Sequence, residues 1–383
     1  MIIGIDATNM SAGGGLTHIQ QIIRNAEPQK YGFKKVLIWA PKVTLDQIDD
    51  KPWLTKLHKA IFERNYMIRS LWQSIKLGSS ARHYRCDILF IPGGSFITGF
   101  RPIVTLSHNL LPFDLYEIFR YKYSFRLLKF FLLRISQSFS FKKANGVIFL
   151  TRFSKMLVED TVGSLTEKTA IIPHGIDKNF FINPRKQNKI SYYSFEKPFE
   201  LLYVSAIEPY KHHHKVIDAV SQLRKENFPV VLKIIGSAIP PERKKLLKKI
   251  KSIPKGEHFI KYNGFVPYDK LPKIYCSANI FIFASSCENM PNILLEGMAS
   301  GLPIACSNRG PMPEILIKSG VYFDPEKEKS IYNAVKKLIL SPKLREKKAD
   351  QAFNLSRKYA WKTCANDTFK FFEKIINNKI EIR

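Results

Sequence analysis

Glu288 and Glu296 stand eight residues apart in the stretch Phe281–Glu314, FIFASSCENMPNILLEGMASGLPIACSNRGPMPE. The apolar run Ile280–Ala284 reads as a buried parallel strand bounded by Ser285–Ser286, followed by a loop that carries Glu288. Pro291 stands where a helix begins, since its missing N–H costs nothing in a first turn. Asn292–Ala299 are good helix formers, and Gly301 and Pro303 stop the helix before a second short strand, Ile304–Ser307. Glu296 then lies about one and a half turns into the helix, so the two carboxylates can touch different parts of one elongated ligand. A helix N-terminus at the carboxyl end of a parallel sheet favours an anion, because its orphan N–H groups and its dipole both do. A phosphate between the carboxylates suits a nucleotide whose two ends carry hydroxyls. Taken alone, the pair also fits an ordinary solvated helix face.

Other residues could do chemistry at similar places. Gly13–Gly15 lie between the strand Met1–Asp6 and a helix with apolar residues at Leu16, Ile19, Ile22 and Ile23. A glycine loop there lets backbone N–H groups approach a phosphate, but GxGxxG and Walker patterns are absent and neither NAD nor ATP binding follows. His108 directly follows the run Ile103–Ser107, and Lys211 follows the strand Phe199–Ser205. His212–His214 are consecutive, so their side chains converge poorly on one metal ion, and no Asp-x-Asp metal pattern is present.

The elements that must position these residues alternate. Strand-like runs at Lys35–Ala40, Asp87–Ile91, Ile103–Ser107, Gly146–Leu150 and Ala170–Ile172 are separated by helical or loop segments. The pattern repeats at Phe199–Ser205, Val230–Gly236, Glu257–Gly264, Ile280–Ala284, Ile304–Ser307 and Val321–Phe323. This predicts an α/β protein of two doubly wound Rossmann-like domains, in which ligands bind where strands end. Length agrees, since 383 residues exceed one core. The predicted divisions are residues 1–182, a linker at 183–198 with no clean period, and a second domain at 199–360.

Composition narrows the partners. Lys plus Arg number 61 against 32 Asp plus Glu, a net charge of +29 that calls for a polyanionic partner. RNP, KH, helix-turn-helix and zinc-finger patterns are absent and the charge is dispersed, so no specific nucleic-acid partner is predicted. A basic nucleic-acid-binding protein remains the alternative of a different class. The five cysteines show no metal spacing and predict reduced, buried thiols in a cytosolic protein. MIIGID reads as a strand rather than a leader, and the longest apolar run, Phe119–Phe141, is broken by five cations. Lys51–Arg85 and Tyr116–Lys143 interleave aromatic and basic residues, including Tyr123. Such segments either lie on an anionic membrane or face the core with their cations in solvent.

The pattern E-x7-E followed by GMASGLPI, SNRG and PE resembles the nucleotide-sugar-binding core of retaining glycosyltransferases of the group 1 family, which have the GT-B fold. VSAIEPYKHH and IIPHGID resemble that family's strand-and-loop before its lysine and the turn that closes its first domain. The resemblance implies a GT-B fold, two Rossmann-like domains facing across a cleft, with the helix at 361–383 packed back on the first. It implies transfer of a hexose from a nucleoside diphosphate sugar to a lipid-linked or lipopolysaccharide-type acceptor, without a metal or other cofactor. The enzyme would sit in the cytoplasm, peripherally on the inner face of the cell membrane. Same-fold NDP-sugar hydrolases, epimerases and phosphorylases are the nearer alternatives.

By the same resemblance, Glu288 hydrogen-bonds the donor sugar and Glu296 the ribose, Lys211 neutralises the diphosphate, and His108 lines the sugar pocket. Glu288, Lys211 and His108 form the implied catalytic set. Donor and nucleotide contacts are implied at Gly14, Gly15, Lys211, Gly264, Val266, Glu288, Asn289, Met290, Asn292, Ile293 and Glu296, with Gly264-Phe265-Val266 as the base-binding turn. Two departures stand out. Ala206 occupies the place of a common arginine, and Asn289-Met290-Pro291 replaces the usual Gly-Phe-Gly, so that Pro291 removes one N–H and Asn292 takes over toward the sugar.

Overall fold

The computed structural model describes residues 1–11, 13–122, 124–165 and 168–381. Ala12 of the glycine loop, Tyr123 of the aromatic–basic segment and the last two residues of the expected closing segment lie outside them. The chain divides into two compact units, Met1–Gly175 with Tyr359–Arg383, and Ile176–Lys358.

The first unit is built on seven parallel strands, β1 (Ile2–Asp6), β2 (Lys35–Trp39), β3 (Leu54–Leu57), β4 (Ile88–Ile91), β5 (Ile103–Leu106), β6 (Gly146–Phe149) and β7 (Thr169–Ile171), in the order β3-β2-β1-β4-β5-β6-β7. Strands β4, β5 and β6 are buried along their whole length, which is why they read as short continuous apolar runs. Strand β3 was hidden inside the basic stretch Lys51–Arg85: its four residues are only half-buried, as suits an edge strand, and cations flank it. That stretch also holds a short turn, Ala60–Glu63, and a helix, Tyr66–His83, with Asn65 as its N-cap. Trp39, Phe62, Trp72 and Phe141 belong to the core on one face of the sheet. The closing helix Trp361–Glu381 packs on the helix Gly13–Asn25. Phe369 meets Phe33 edge-on at 5.9 Å there.

The second unit holds six parallel strands, β8 (Phe199–Val204), β9 (Val230–Ile235), β10 (Ile260–Tyr262), β11 (Ile280–Phe283), β12 (Ile304–Ser307) and β13 (Val321–Phe323), in the order β10-β9-β8-β11-β12-β13. In both sheets a strand order that reverses beside the first strand creates a switch point where helices leave on opposite faces. Strand β10 is shorter than the predicted Glu257–Gly264, because Gly256–Phe259 turns as a helix before it.

The stretch 183–198 predicted as a linker is packed within the second unit. Arg345, fully buried, donates to Gln187 Oε1 at 3.1 Å and to the carbonyls of Leu338 and Ile339 at 2.6 and 2.7 Å. A further bond reaches the Asn188 carbonyl at 2.5 Å, and the guanidinium lies 5.1 Å from the Phe199 ring. The unit boundary falls earlier, at Gly175/Ile176. An arginine on a distant helix supplies these contacts, so local periodicity could not reveal them.

Four cysteines are buried, but Cys276 is exposed, against the expectation that all five are buried. Among the described residues no helix is long and apolar enough to cross a membrane.

Candidate functional site

In the second unit, the loops after β8, β11 and β12 converge. The chain leaves β8 through Ser205 and Ala206, turns at Pro209–Lys211 and enters the helix His213–Lys225. Ser286, just past β11, donates its N–H to the Tyr210 carbonyl at 2.9 Å, and its hydroxyl lies 2.8 Å from His212 Nε2. His212 reaches it because its backbone adopts φ +50°. His213 points the other way, stacking on Tyr203 at 4.6 Å with Nε2 3.0 Å from Ser205 Oγ. Burial drives the His213 imidazole down to about 3, so it is a neutral packing group. The three histidines go to different places, and among the described residues no cluster of His, Cys, Asp or Glu could hold a metal.

This clamp brings Lys211 onto Glu288. Lys211 is 6% exposed, and its Nζ forms an ion pair with Glu288 Oε1 while lying 5.1 and 5.5 Å from the Tyr210 and Phe283 rings. A buried ammonium needs such a partner, since desolvating it unpaired costs several kcal/mol. The loop after β12 closes over the pair. Gly310 has φ +58°, and a Cβ there would stand 3.4–3.8 Å from Met312 Cε, the Ser286 carbonyl and the Glu288 amide.

Glu296 has different partners. The helix Asn292–Ala299 starts after Pro291, whose carbonyl accepts from Leu294 and Leu295 at 3.0 and 3.2 Å. Pro291 is therefore the flanking cap rather than the first helical residue. One turn on, Gly297 packs directly on β11, where a Cβ would lie 2.6 Å from the Phe281 ring. This close approach buries Glu296 to 5% exposure. Its Oε2 accepts from the Tyr275 hydroxyl at 3.3 Å, and Tyr268 donates to the same carboxyl. Burial pushes Glu296 up to about 7, the two phenols pull it back, and Asp177 raises it further.

In the first unit, Gly14 and Gly15 open the helix Gly13–Asn25 against the His108 imidazole, whose Nε2 would lie 3.3 Å from a Cβ on Gly14. Its Nδ1 is buried without a hydrogen-bond partner, and burial lowers His108 to about 4. His174, to which the sequence assigned no chemistry, sits in a ring stack, 4.9 Å from His18, 5.9 Å from His108 and 5.2 Å from Trp361. Asp6, at the end of β1, accepts from the Thr8 amide and hydroxyl and from Gln73. Burial raises its pKa, which those bonds partly offset.

Of the expected site residues in the second unit, Lys211 and Glu288 touch each other, while Glu296 has its own tyrosine partners. Asn289 and Met290 are buried behind Glu288, and Asn292 and Ile293 are half-buried in the first helical turn. Gly264, with φ +68°, accepts from the Gly236 amide at 2.8 Å, and Val266 follows half-buried past the exposed Phe265. Gly14, Gly15 and His108 form a separate set in the first unit. Sequence reasoning missed Tyr268, Tyr275 and the His212–Ser286 clamp. Tyr275 sits seven residues after Tyr268 on the way to β11, and that spacing was the available signal. Ala206, where an arginine was expected, is exposed, and Arg309, in the loop after β12, turns to Asp324 and Glu326 at 3.6 and 3.9 Å.

Known proteins resemble this chain in sequence and in fold. The family described as Glycosyltransferase Family 4 matches residues 12–180, and Glycosyl transferases group 1 matches residues 184–354. The O-antigen chain mannosyltransferase B of Escherichia coli is 25% identical over 175 residues, 45% of this chain and 45% of that protein. The chain thus spans about half the length of the curated relatives that it matches first. An uncharacterised glycosyltransferase of Haemophilus influenzae is 23% identical over 93% of this chain and 96% of its own. Among solved structures, sucrose-phosphate synthase of Thermosynechococcus elongatus superposes with a TM-score of 0.79 at 15% identity, covering 99% of this chain and 100% of that one. Anabaena HepE in complex with UDP and glucose gives 0.71 at 18% identity, covering 98% and 100%. At such identities the structural likenesses establish the fold alone, a GT-B architecture; the two family matches make the chain a glycosyltransferase, the group 1 model covering residues 184–354.

Proposed function

We propose that the protein is a retaining hexosyltransferase that uses a nucleoside diphosphate sugar and glycosylates a lipid-linked or lipopolysaccharide-type acceptor. The observation that carries the donor half is the arrangement in the second unit: a buried Lys211–Glu288 pair and, separately, a buried Glu296 on the helix that begins after Pro291. A ligand with a sugar at one end, a diphosphate in the middle and a ribose at the other matches these three demands. In the free protein Glu288 neutralises Lys211. On donor binding the diphosphate takes over Lys211, and Glu288 is released to hydrogen-bond the sugar. As the glycosidic bond breaks, negative charge grows on the departing diphosphate, where the ammonium and the N–H groups of the helix stabilise it. Glu296 accepts from the ribose hydroxyls. His108 stays neutral above about pH 4, and serves as a hydrogen-bonding group beside Gly14 and Gly15 rather than as a cation. This residue set asks for no metal ion, so chelation with EDTA is expected to leave turnover unchanged.

The acceptor half is supported by the O-antigen relative and by a surface of the first unit. On the helix Phe125–Lys143, the side chains of Phe125, Leu128, Leu132, Ile135 and Phe139 are all more than half exposed. Their spacing of three and four makes one continuous stripe. Met67, Leu71 and Ile75 make a second on the helix Tyr66–His83. Apolar stripes flanked by cations suit the interface of an anionic membrane, the setting of a lipid-linked acceptor.

The deciding experiment is a calorimetric screen of UDP, GDP and ADP, followed by a product assay with the matching sugar nucleotide, with and without lipid-linked acceptor. Transfer only with acceptor, with the anomeric configuration kept by NMR, supports the reading. Sugar release without acceptor identifies a hydrolase, and absence of nucleotide binding overturns the donor site.

A further inference from the structure

Glu296 is an unusual group to find in a ribose site. It is a carboxyl 5% exposed, held on a helix that Gly297 presses against β11, with two phenols donating to it. Tyr275 is itself fully buried, its ring 5.7 Å from Phe180 and 5.5 Å from Phe281. Its hydroxyl is held between the carboxyl and the Ile293 carbonyl, which lies 3.4 Å away. Tyr268 is 46% exposed, so its ring reaches solvent while its hydroxyl stays with Glu296. Phe180 is 5.2 Å from that ring as well, so one phenylalanine braces both tyrosines. The groups that act on the carboxyl are thus Tyr275, Tyr268 and Asp177, which precedes the turn Lys178–Phe180.

We propose that Tyr275 and Tyr268 are positioning residues for the nucleotide: they orient the Glu296 carboxyl and set its proton occupancy, so that nucleotide binding releases a proton from Glu296. The proposal rests on the ribose-binding role of Glu296 given above. A ribose presents two O–H donors, and only an ionised carboxylate accepts from both while it still accepts from the phenols. In the free protein burial holds the carboxyl near half protonation around pH 7. The ribose hydroxyls favour the charged form, so the proton on Glu296 leaves to solvent as nucleotide enters. One O–H bond of the carboxyl breaks and buffer takes the proton; the terminal phosphate of a nucleoside diphosphate, which titrates at about pH 6, adds its own release, and the Glu296 share is what Glu296→Gln lacks. Removing a phenol removes a donor to the charged form. The carboxyl then holds its proton to higher pH, and nucleotide affinity is lost over a wider range on the acid side.

The test measures binding of UDP, GDP and ADP by calorimetry at about pH 6.5 in buffers of different ionisation enthalpy, and then as a function of pH from about 6 to 9. Wild type is expected to release most of one proton at the acid end. Its affinity should rise toward tenfold per pH unit below about 7 and level off above. Tyr275→Phe and Tyr268→Phe are expected to move that inflection to higher pH, with affinity approaching wild type at about pH 9. In steady state this appears as a higher KM at pH 6.5 with kcat kept. A merely structural role would lower affinity equally at every pH. Glu296→Gln is expected to bind weakly and to release only the proton of the nucleotide's terminal phosphate, without the inflection at about 7. Equal proton release by wild type and Glu296→Gln, or tyrosine variants with the wild-type inflection, overturn the proposal while leaving the donor site standing. Failure of all three nucleotides to bind overturns both. Tyr268→Phe alters a half-exposed side chain, so it keeps the test decisive if Tyr275→Phe does not fold.

Discussion

Lys211 and Glu288 are coupled at the scale of single residues, because each is the partner that makes burial of the other tolerable. If Lys211 stabilises charge on the leaving diphosphate, Lys211→Ala should lower kcat about 10²-fold or more and weaken donor binding much less. Steady-state kinetics at saturating donor checks this, and an unchanged kcat assigns the diphosphate to another cation. Glu296 carries a stability consequence independent of turnover. Its pKa rises from an ordinary 4.5 to about 7, so between those values the folded protein binds more protons than the unfolded chain. Folding is then progressively disfavoured as pH rises through that window, by up to roughly 3 kcal/mol at pH 8, where the charge must be buried. Glu296→Gln removes the charge, and should raise Tm at about pH 8 while leaving it nearly unchanged at about pH 5. Calorimetric melting at the two pH values decides it. An equal shift at both would mean that the carboxyl is not held near neutrality in the free protein.

Among the elements, the segment 183–198 shows how one side chain can convert an irregular stretch into fixed structure. The oxygens that meet Arg345 belong to Gln187, Asn188, Leu338 and Ile339; the bonds to Gln187, Leu338 and Ile339 are buried and the one to Asn188 is partly so. Arg345→Ala would leave buried acceptors without donors and open a cavity beneath Phe199. The expected loss is about 3 kcal/mol, read as a lower urea midpoint at unchanged slope. A loss below about 1 kcal/mol would show that this segment is held by its backbone turns alone. The helix Phe125–Lys143 shows the converse. Several of its cations are engaged within the unit: Arg134 donates to the carbonyls of Pro112 and Phe113, and Arg126 lies 4.4 Å from the Tyr121 ring. Arg120, just before the helix, pairs with Glu117. Its outward character therefore comes from apolar residues together with exposed lysines such as Lys129, Lys142 and Lys143.

For the whole molecule, the proposal that the acceptor is met at an anionic interface rests on a net charge of +29 and on the exposed apolar stripes of the first unit. Replacing Phe125, Leu128, Leu132 and Ile135 by Ser should release the protein from anionic vesicles at physiological salt while UDP, GDP or ADP affinity is kept. Wild-type attachment should also weaken as ionic strength rises, since each lysine or arginine near the surface contributes about 1 kcal/mol that fades within a Debye length. Co-sedimentation with anionic and neutral vesicles reads both effects. Equal pelleting of variant and wild type would identify the stripe as an ordinary surface and return the acceptor question to the glycan alone.

The sequence by itself determined the alternation that makes two parallel sheets, because fully buried strands such as Ile280–Phe283 must be short apolar runs whatever surrounds them. It also determined that Glu288 lies on a loop and Glu296 on a helix, since Pro291 and Gly301 mark that helix within a few residues. Strand β3 escaped because an edge strand needs no continuous apolar run and its lysines looked like a charged surface. Tertiary structure alone decided the partners. Lys211 meets Glu288 across 77 residues, Tyr275 meets Glu296 across 21, and Arg345 meets Gln187 across 158. Sequence spacing carries no information about such meetings when they join elements that are distant along the chain. Burial, which lifts Glu296 to about 7 and lowers His108 to about 4, is likewise a property of the assembled core, which sequence spacing does not contain.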